Sequence, residues 1–470
     1  MMNPQFLHHN SHLDGGVAAF TDRDPQLRSL AALPFVHIPA LLDRLPSKEP
    51  GIYTLGGGRQ VGKTTLLKQY MARLMTTGVE PAEIAFFSGE LIDDHHALIR
   101  LLSDEIQEMS GPLHYIIVDE VSYIREWDRA VKYLADAGIL QNTVLVLTGS
   151  DLSFIQEARM RFPGRRGGAD QADFHLAPLS FRETLVLKKS VPELAALLEP
   201  VGLVSPQTMQ ELFAEFNRYL IHGGYLTAIN DLAKYNTIRP ATLATYHEWI
   251  RGDVLKRGKR EQYLREILGA IVKRYGSQIS WNSLAQDLSI DHPKTVADYI
   301  ELLTTMDAVF IQPAILEDKL VAAPKKPKKV MFVDPFIFHA VRLWLSPCRD
   351  PFQEQIQPVV ENPESSGRLV EACVATHFQR YFPTFYIKAE GEIDVAVVSE
   401  KRFFPVEVKW TGQLRPKDLK QLKKYQNGVV WGRVWQPQTI DGVPIYPLPL
   451  ALARLDERAF IDESGSMKTG

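Results

Sequence analysis

Between about residues 30 and 180 the apolar positions follow two alternating rhythms. The segments GIYTL, EIAFFSG, HYIIVDE and TVLVLTGS each hold a short unbroken apolar run, as strands buried on both faces do. Between them, TTLLKQYMARLM, DHHALIRLLSDEIQEM and WDRAVKYLADAG place apolar residues every three to four positions, which is the period of a helix. FHLAPLS closes the series as a further strand. This alternation predicts an α/β fold with a parallel sheet and helices on both faces. In such sheets ligands bind beyond the carboxyl ends of the strands.

The rhythm then changes. TLVLKKSVPELAALLEP, TMQELFAEFNRYLIHGG and ATLATYHEWIRGDVLKR are helical throughout. Next come three helical segments, LREILGAIVKRYG, ISWNSLAQDLSID and HPKTVADYIELLTTM, with Ser280 and Asp291-His292-Pro293 at the breaks. Two strands follow, VFIQPAI and KKVMFVD, with the basic run PKKPKK before the second. Three helices and a basic β-hairpin describe a winged helix-turn-helix, in which the third helix enters the major groove and the wing touches the DNA backbone. Lys294, Thr295 and the lysines Lys325, Lys326, Lys328 and Lys329 would make those contacts. From about 361 a helix, SSGRLVEACVATHFQRYF, leads into FYIKAEGEIDVAVVSEKRFFPVEVKW. These shifts divide the chain into an N-terminal extension (1–29), an α/β core (30–182), a helical block (183–260), a winged helix (261–345) and a C-terminal α/β domain (346–470).

Chemistry enters at the end of the first strand. GGGRQVGKTT has Gly57, four residues, and then Gly62-Lys63-Thr64, the spacing of a phosphate-binding loop, with the strand before it and the helix after it that this motif requires. Gly57, Gly58, Arg59, Gln60, Val61, Gly62, Lys63, Thr64 and Thr65 form the candidate nucleotide cradle. Its backbone N–H groups and the positive end of the helix attract phosphate. Lys63 would reach the outer phosphates, and Thr64 would be a ligand of Mg²⁺. The strand HYIIVDE ends in Asp119-Glu120, so Asp119 can hold Mg²⁺ through water while Glu120 polarises the attacking water. TVLVLTGS offers Thr148 and Ser150, either of which could touch the γ-phosphate or the water. Arg165 and Arg166 in FPGRRGGAD are candidates for an arginine finger reaching a neighbouring subunit's nucleotide, with Arg159 and Arg161 as rivals. With nucleotide in place, the helical block 183–260 reads as a small lid.

A second constellation lies near the C-terminus. Glu407 and Lys409 alternate in one strand and share a face, and Asp394 lies in the strand before. Asp394 and Glu407 could share Mg²⁺, Glu371 from the preceding helix could complete the oxygen ligands, and Lys409 could orient or activate a water. The arrangement resembles the restriction-endonuclease-like fold of the PD-(D/E)XK superfamily.

Composition narrows the partners. The 470 residues carry a net charge of −3, so any nucleic-acid contact must be local. Residues 251–330 hold 14 Lys and Arg against 10 Asp and Glu, clustered in RGDVLKRGKR and PKKPKK. No apolar run approaches the ~18 residues that a membrane-spanning helix needs, and no signal-like leader is visible, which points to the cytoplasm. Cys348 and Cys373 make neither a disulfide framework nor a metal site. The pairs His8-His9 and His95-His96 read as surface. The opening stretch MMNPQFLHHNSHLDGGVAAFTDRDP and the tail ESGSMKTG are polar and unpatterned, and read as loose.

In order, GGGRQVGKTTLL, IIVDEVSYIREWDRAVKYL, LVLTGS, FPGRR with LAPLSFRE, HGGYLTAI, KTVADYIELL, MFVDPFIFHAV, and GEIDVAVV with FPVEVKW resemble a bacterial and archaeal group of AAA-type ATPases with a C-terminal domain of unknown function. The resemblance spans roughly residues 30–430. It implies an AAA+ core that binds ATP and Mg²⁺, assembly as a homo-oligomer, and duplex or branched DNA as ligand. Three functions compete: an ATPase that remodels duplex or branched DNA while its nuclease-like domain recognises or cuts it, an ATP-gated metal-dependent endonuclease, and a regulatory switch whose C-terminal domain is a catalytically dead scaffold.

Overall fold

The apolar runs between Gly51 and His175 form five parallel strands: β1 (Gly51–Gly56), β2 (Ile84–Ser88), β3 (His114–Asp119), β4 (Thr143–Thr148) and β5 (Asp173–His175). Their spatial order is β2-β3-β4-β1-β5, so β1 lies between β4 and β5 rather than beside β2. Successive side chains point to opposite faces and build two apolar layers. Ile52, Ile116, Val118, Leu145 and Leu147 meet Leu98, Leu102, Val131 and Leu134 from helices His95–Glu108 and Trp127–Asp136. Tyr53, Leu55, Ile117, Val144 and Val146 meet Leu66, Leu67, Tyr70 and Met71 from helix Lys63–Thr76. A sheet covered on both faces is why its strands read as continuous apolar runs.

This computed structural model describes residues 4–168, 171–191, 193–199, 204–412 and 414–456; the tail ESGSMKTG lies outside them. The chain divides into two units, residues 1–177 with 305–307, and residues 178–304 with 308–470.

The N-terminal extension departs from the sequence reading. Instead of a loose tail, residues 4–30 form two 3₁₀ turns and the helices Gly16–Arg23 and Pro25–Leu30. They fasten to β2, an edge strand whose outer backbone groups need partners. The Asn10 side chain supplies them as a peptide would: its amide donates to the Phe86 carbonyl (2.8 Å) and its carbonyl accepts from the Phe86 N–H (2.8 Å). His12 Nε2 lies 2.9 Å from the Ile84 carbonyl. Lys68, buried on the phosphate-loop helix, donates to the His9 carbonyl (2.7 Å) and pairs with Asp24 (3.3 Å). Its ammonium also sits 3.8 Å from the centre of the Phe86 ring.

In the second unit, helices Glu261–Lys273, Trp281–Asp287 and Pro293–Thr305 accompany a small sheet of β6 (Gln278–Ile279), β7 (Val309–Pro313) and β10 (Lys328–Phe332). β10 is central and antiparallel to both neighbours. The turn of the hairpin carries a second short pair, β8 (Ile315–Leu316) with β9 (Val321–Ala322). Helix Pro363–Gln379 then precedes a six-stranded mixed sheet of β11 (Thr384–Lys388), β12 (Glu392–Ser399), β13 (Arg402–Lys409), β14 (Val429–Gly432), β15 (Gln438–Ile440) and β16 (Val443–Pro447), in the order β11-β12-β13-β14-β16-β15. The two sheets are tied by Gln312 of β7, whose buried side-chain amide donates to the carbonyls of Phe385 and Asp394 at 2.9 Å each.

The helical block read as a lid has its partners in this second unit. Phe213, on helix Pro206–His222, stacks on Trp410 with ring centres 5.9 Å apart, and the Arg182 guanidinium donates to the Ala453 carbonyl (3.0 Å). Three of the sequence's marker segments also meet here. Leu179 of LAPLSFRE donates its N–H to the Gly224 carbonyl of HGGYLTAI (2.8 Å), and the Gly224 N–H donates to the Asp334 carboxylate of MFVDP (2.7 Å). A Cβ on Gly224 would lie 1.9 Å from the Leu179 carbonyl oxygen, so only glycine permits this approach.

Candidate nucleotide site and C-terminal carboxylate cluster

The phosphate loop leaves the carboxyl end of β1 and closes on the first turn of helix Lys63–Thr76. Two of its glycines are required by geometry. Gly62 has φ 105°, and Gly57 has φ 152° with the Leu176 carbonyl oxygen 2.4 Å from where a Cβ would stand. Lys63 is buried and donates to the carbonyls of Gly57 (3.0 Å) and Gly58 (3.1 Å), so the ammonium is folded across the loop. Burial pulls its pKa below the usual lysine value, against the opposite pull of Glu120 and Asp119.

β3 delivers the acidic pair beside this loop. Thr64 Oγ1 donates to Asp119 Oδ2 (2.7 Å), and Thr148 Oγ1 at the end of β4 donates to Asp119 Oδ1 (2.5 Å). The Thr148 hydroxyl also accepts from the Glu120 N–H (2.9 Å), which makes Thr148 a brace for both acidic residues. Glu120 has φ 56°, a left-handed conformation that few non-glycine residues adopt, and it caps the short turn Val121–Tyr123. One carboxylate oxygen lies 3.8 Å from Lys63 Nζ; the other, Oε2, is buried with no hydrogen-bond partner among the described residues. Ser150 is buried just beyond β4. Arg59 reaches Tyr123 Oη (3.0 Å).

The arginines separate. Arg166 is spent inside its own unit, on the carbonyls of Ile52 (3.2 Å) and Ala172 (2.9 Å), on Thr54 Oγ1 (3.1 Å) and on Asp173 (2.6 Å). Arg165 pairs with Asp136. Arg159 and Arg161 pair with Asp173 and Asp128 but leave 64% of each side chain exposed. These pairings direct all four to partners outside the phosphate loop of their own chain.

In the second unit, Glu371 and Asp394 come together, and Glu392 joins them; carboxylate oxygens of the three lie within 4.8 Å of one another. Glu392 is readable in principle, since it stands two residues before Asp394 on β12 and so shares its face. Glu407 is not one of these three but neighbours Asp394: it accepts from Lys409 (2.5 Å), and its second oxygen is buried without a side-chain partner among the described residues. The Asp394 Oδ2 atom accepts from the Val408 N–H (2.8 Å). Burial and then Asp394 push the Glu407 carboxyl up to about 8. The same two causes push Glu371 up to about 7, against the pull of Lys329.

Lys329 is where the structure corrects the sequence reading. The run PKKPKK groups it with Lys325, Lys326 and Lys328 as a wing contact to DNA, but it is only 1% exposed. The alternation of β10 turns it inward, where its ammonium pairs with Glu371 (2.6 Å) and Glu392 and lies 3.9 Å from Asp394. Lys325 is exposed, whereas Lys326 and Lys328 are half-buried, with Lys326 donating to the Lys388 carbonyl (2.9 Å). Lys294 is exposed, and Thr295 half-buried.

Residues 49–185 match the family model of the AAA domain. The chain carries an AAA-type ATPase domain. Residues 213–347 and 366–450 match two further models, each described as a domain of unknown function (DUF8612 and DUF4143). Among curated proteins the chain is similar to an uncharacterized protein of Methanocaldococcus jannaschii, 27% identical over 304 residues, with 59% of this chain and 60% of that protein covered. It is also similar to an uncharacterized protein of Haemophilus influenzae, 21% identical over 264 residues, with 54% and 60% covered. The match therefore spans about three fifths of either relative's length. Among solved structures, a Walker-type ATPase of Pyrococcus abyssi aligns at TM-score 0.40 and 16% identity, covering 62% of this chain and 91% of that one. The Orc1 protein of Aeropyrum pernix in complex with DNA aligns at TM-score 0.24 and 14% identity, covering 70% and 93%.

The donor set of the AAA domain fits ATP with Mg²⁺: a glycine loop at a helix N-terminus, a lysine already folded over that loop, and a hydroxyl bonded to a carboxylate. Thr64 and Asp119 would hold the metal, which when bound draws off charge from the phosphates. Lys63 would exchange its two carbonyl partners for phosphate oxygens. Glu120, with one oxygen unpartnered among the described residues, is placed to take a hydrogen bond from water. Among the described residues no helix is long and apolar enough to cross a membrane.

Proposed function

We propose that this ATPase acts on DNA, coupling nucleotide turnover to recognition or remodelling of duplex or branched DNA as a homo-oligomer. The observation that carries the DNA part is the exposed basic surface of the helices and hairpin at 251–332. Lys256, Arg257, Arg260, Lys294 and Lys325 are all exposed there. The helix-strand-helix-helix-hairpin order of this region supports a winged helix. Helix Pro293–Thr305 carries Asp298 and Glu301 in its later turns, so phosphate contact falls to its first turn, at Lys294 and Thr295. The exposed Arg159 and Arg161, with Arg165, are the candidates for reaching a neighbouring subunit's nucleotide. The location we infer is the cytoplasm.

For the C-terminal domain, a helix packed beside a mixed sheet that carries Asp394, Glu407 and Lys409 supports a restriction-endonuclease-like fold. The buried Lys329 among its acidic residues favours a domain that recognises DNA without cutting it. Endonuclease activity gated by ATP is the second reading, motivated by the unpartnered oxygen of Glu407.

The test is salt-dependent binding to duplex DNA. Replacing Lys294 and Lys325 by Ala should lower affinity and flatten the log-log salt slope by about 0.9 for each phosphate no longer neutralised. A slope unmoved by the Lys294 and Lys325 changes would place the DNA surface elsewhere, with residues 415–424 as the next candidate.

A further inference from the structure

The C-terminal carboxylates pass one requirement of a divalent-metal site and fail another. Glu371, Glu392 and Asp394 present converging oxygens from helix Pro363–Gln379 and from β12. The centre they surround, however, already holds a cation of the chain's own. Lys329 arrives from β10, a strand of the other sheet, with its ammonium within ion-pair distance of all three carboxylates. The surrounding walls hold it in place: the Tyr386 ring centre is 5.3 Å away, Tyr386 Oη donates to the Pro327 carbonyl (2.6 Å), and Gln278 bonds to Glu392.

We propose that Lys329 is the resident cation of this cluster, seated where a metal ion would be, so that the C-terminal domain as folded takes no Mg²⁺ or Mn²⁺ at Glu371, Glu392 and Asp394. A single ammonium and a divalent ion cannot share a centre bounded by oxygens this close, because like charges a few ångströms apart repel, and the Lys329 side chain, 1% exposed, has little solvent to move into. Three carboxylates within ion-pair distance of one ammonium hold the plug in place. The lysine also serves as a clasp. It joins the small sheet β6-β10-β7 to the C-terminal sheet, parallel to the neutral tie made by Gln312. Metal chemistry at this cluster would require β10 to withdraw, which makes the hairpin region the controlling element. This inference does not depend on whether DNA is the ligand.

The experiment uses the full chain without nucleotide and reads Mn²⁺ binding, by the electron-paramagnetic signal of free Mn²⁺ and by the shift in thermal unfolding. Wild type and Glu371→Gln should bind Mn²⁺ indistinguishably. Lys329→Met should acquire a Mn²⁺ site and a Mn²⁺-dependent rise of several degrees in its unfolding midpoint, and Lys329→Met with Glu371→Gln should lose both. If Lys329→Met folds only when Mn²⁺ is supplied, the metal has replaced the ammonium and the proposal holds. If it folds under neither condition, the wild-type comparison decides. A wild-type Mn²⁺ site that Glu371→Gln abolishes, or a folded Lys329→Met that gains no site, overturns the proposal.

Discussion

Glu120→Gln is expected to bind ATP as tightly as wild type and to lose about 10²- to 10⁴-fold in kcat, the range that a positioned general base supplies. Lys63→Ala should do the reverse in binding, losing about 10- to 100-fold in nucleotide affinity, since hydrogen bonds to a charged partner are worth about 1.5–3 kcal/mol each. The division follows from the geometry. Lys63 is folded across the loop onto Gly57 and Gly58, the position phosphates would take over, whereas Glu120 keeps an oxygen clear of those bonds. The amide of glutamine has nearly the shape of the carboxylate and keeps the left-handed backbone at Glu120, but it polarises water poorly. Equilibrium binding of a fluorescent ATP analogue beside steady-state turnover separates the two. Equal loss of affinity in both variants would contradict the assignment.

The second large effect is on stability. Asp24 and Lys68 are a buried pair, each side chain 2% exposed, and removing one partner leaves the other charge in an apolar setting. Asp24→Ala should destabilise the ATPase unit by about 3–5 kcal/mol. It also removes the cap that accepts from the N–H groups of Gln26 (3.0 Å) and Leu27 (3.1 Å). Combining Asp24→Ala with Lys68→Met should recover much of the loss, because the orphaned ammonium is then gone and the methionine packs on Phe86. Urea unfolding of the four members of this cycle measures it. A loss below about 1 kcal/mol for Asp24→Ala, or strict additivity in the double variant, would mean that the extension is not held by this pair.

How much of the fold and the sites is legible in the sequence depends on how local the signal is. The central strands can be read because a sheet covered on both faces demands unbroken apolar runs, and the phosphate loop because its glycines, Lys63 and Thr64 are adjacent in sequence. Asp119 and Glu120 follow from their place at a strand end. The N-terminal extension is not legible, because its anchors, Phe6, Asn10, His12 and Phe20, are single residues spaced without period. Asn10 and His12 find their partners far along the chain on β2, and Phe6 and Phe20 find theirs in the core around the sheet. Lys329 is hidden for a related reason. In PKKPKK it looks like any lysine of a solvated run, and only the pairing of β10 decides which of two neighbouring lysines turns inward. Arg166 likewise reads as a free basic turn until the backbone carbonyls of Ile52 and Ala172 are found around it. The helical block carries a clear helical period, but periodicity does not say which neighbour Phe213 and Phe216 will choose, and Trp410 belongs to the distant C-terminal domain.

If the proposed function holds, ATP turnover should answer to DNA bound on the basic surface around Lys294 and Lys325. The most direct measurement is the steady-state ATPase rate of the full chain at low salt, with and without linear, forked and four-way DNA, for wild type and for the Lys294→Ala, Lys325→Ala double variant. Wild type should show a severalfold rise with DNA that the double variant loses while keeping its DNA-free rate. A wild-type rate that no DNA changes would contradict the coupling.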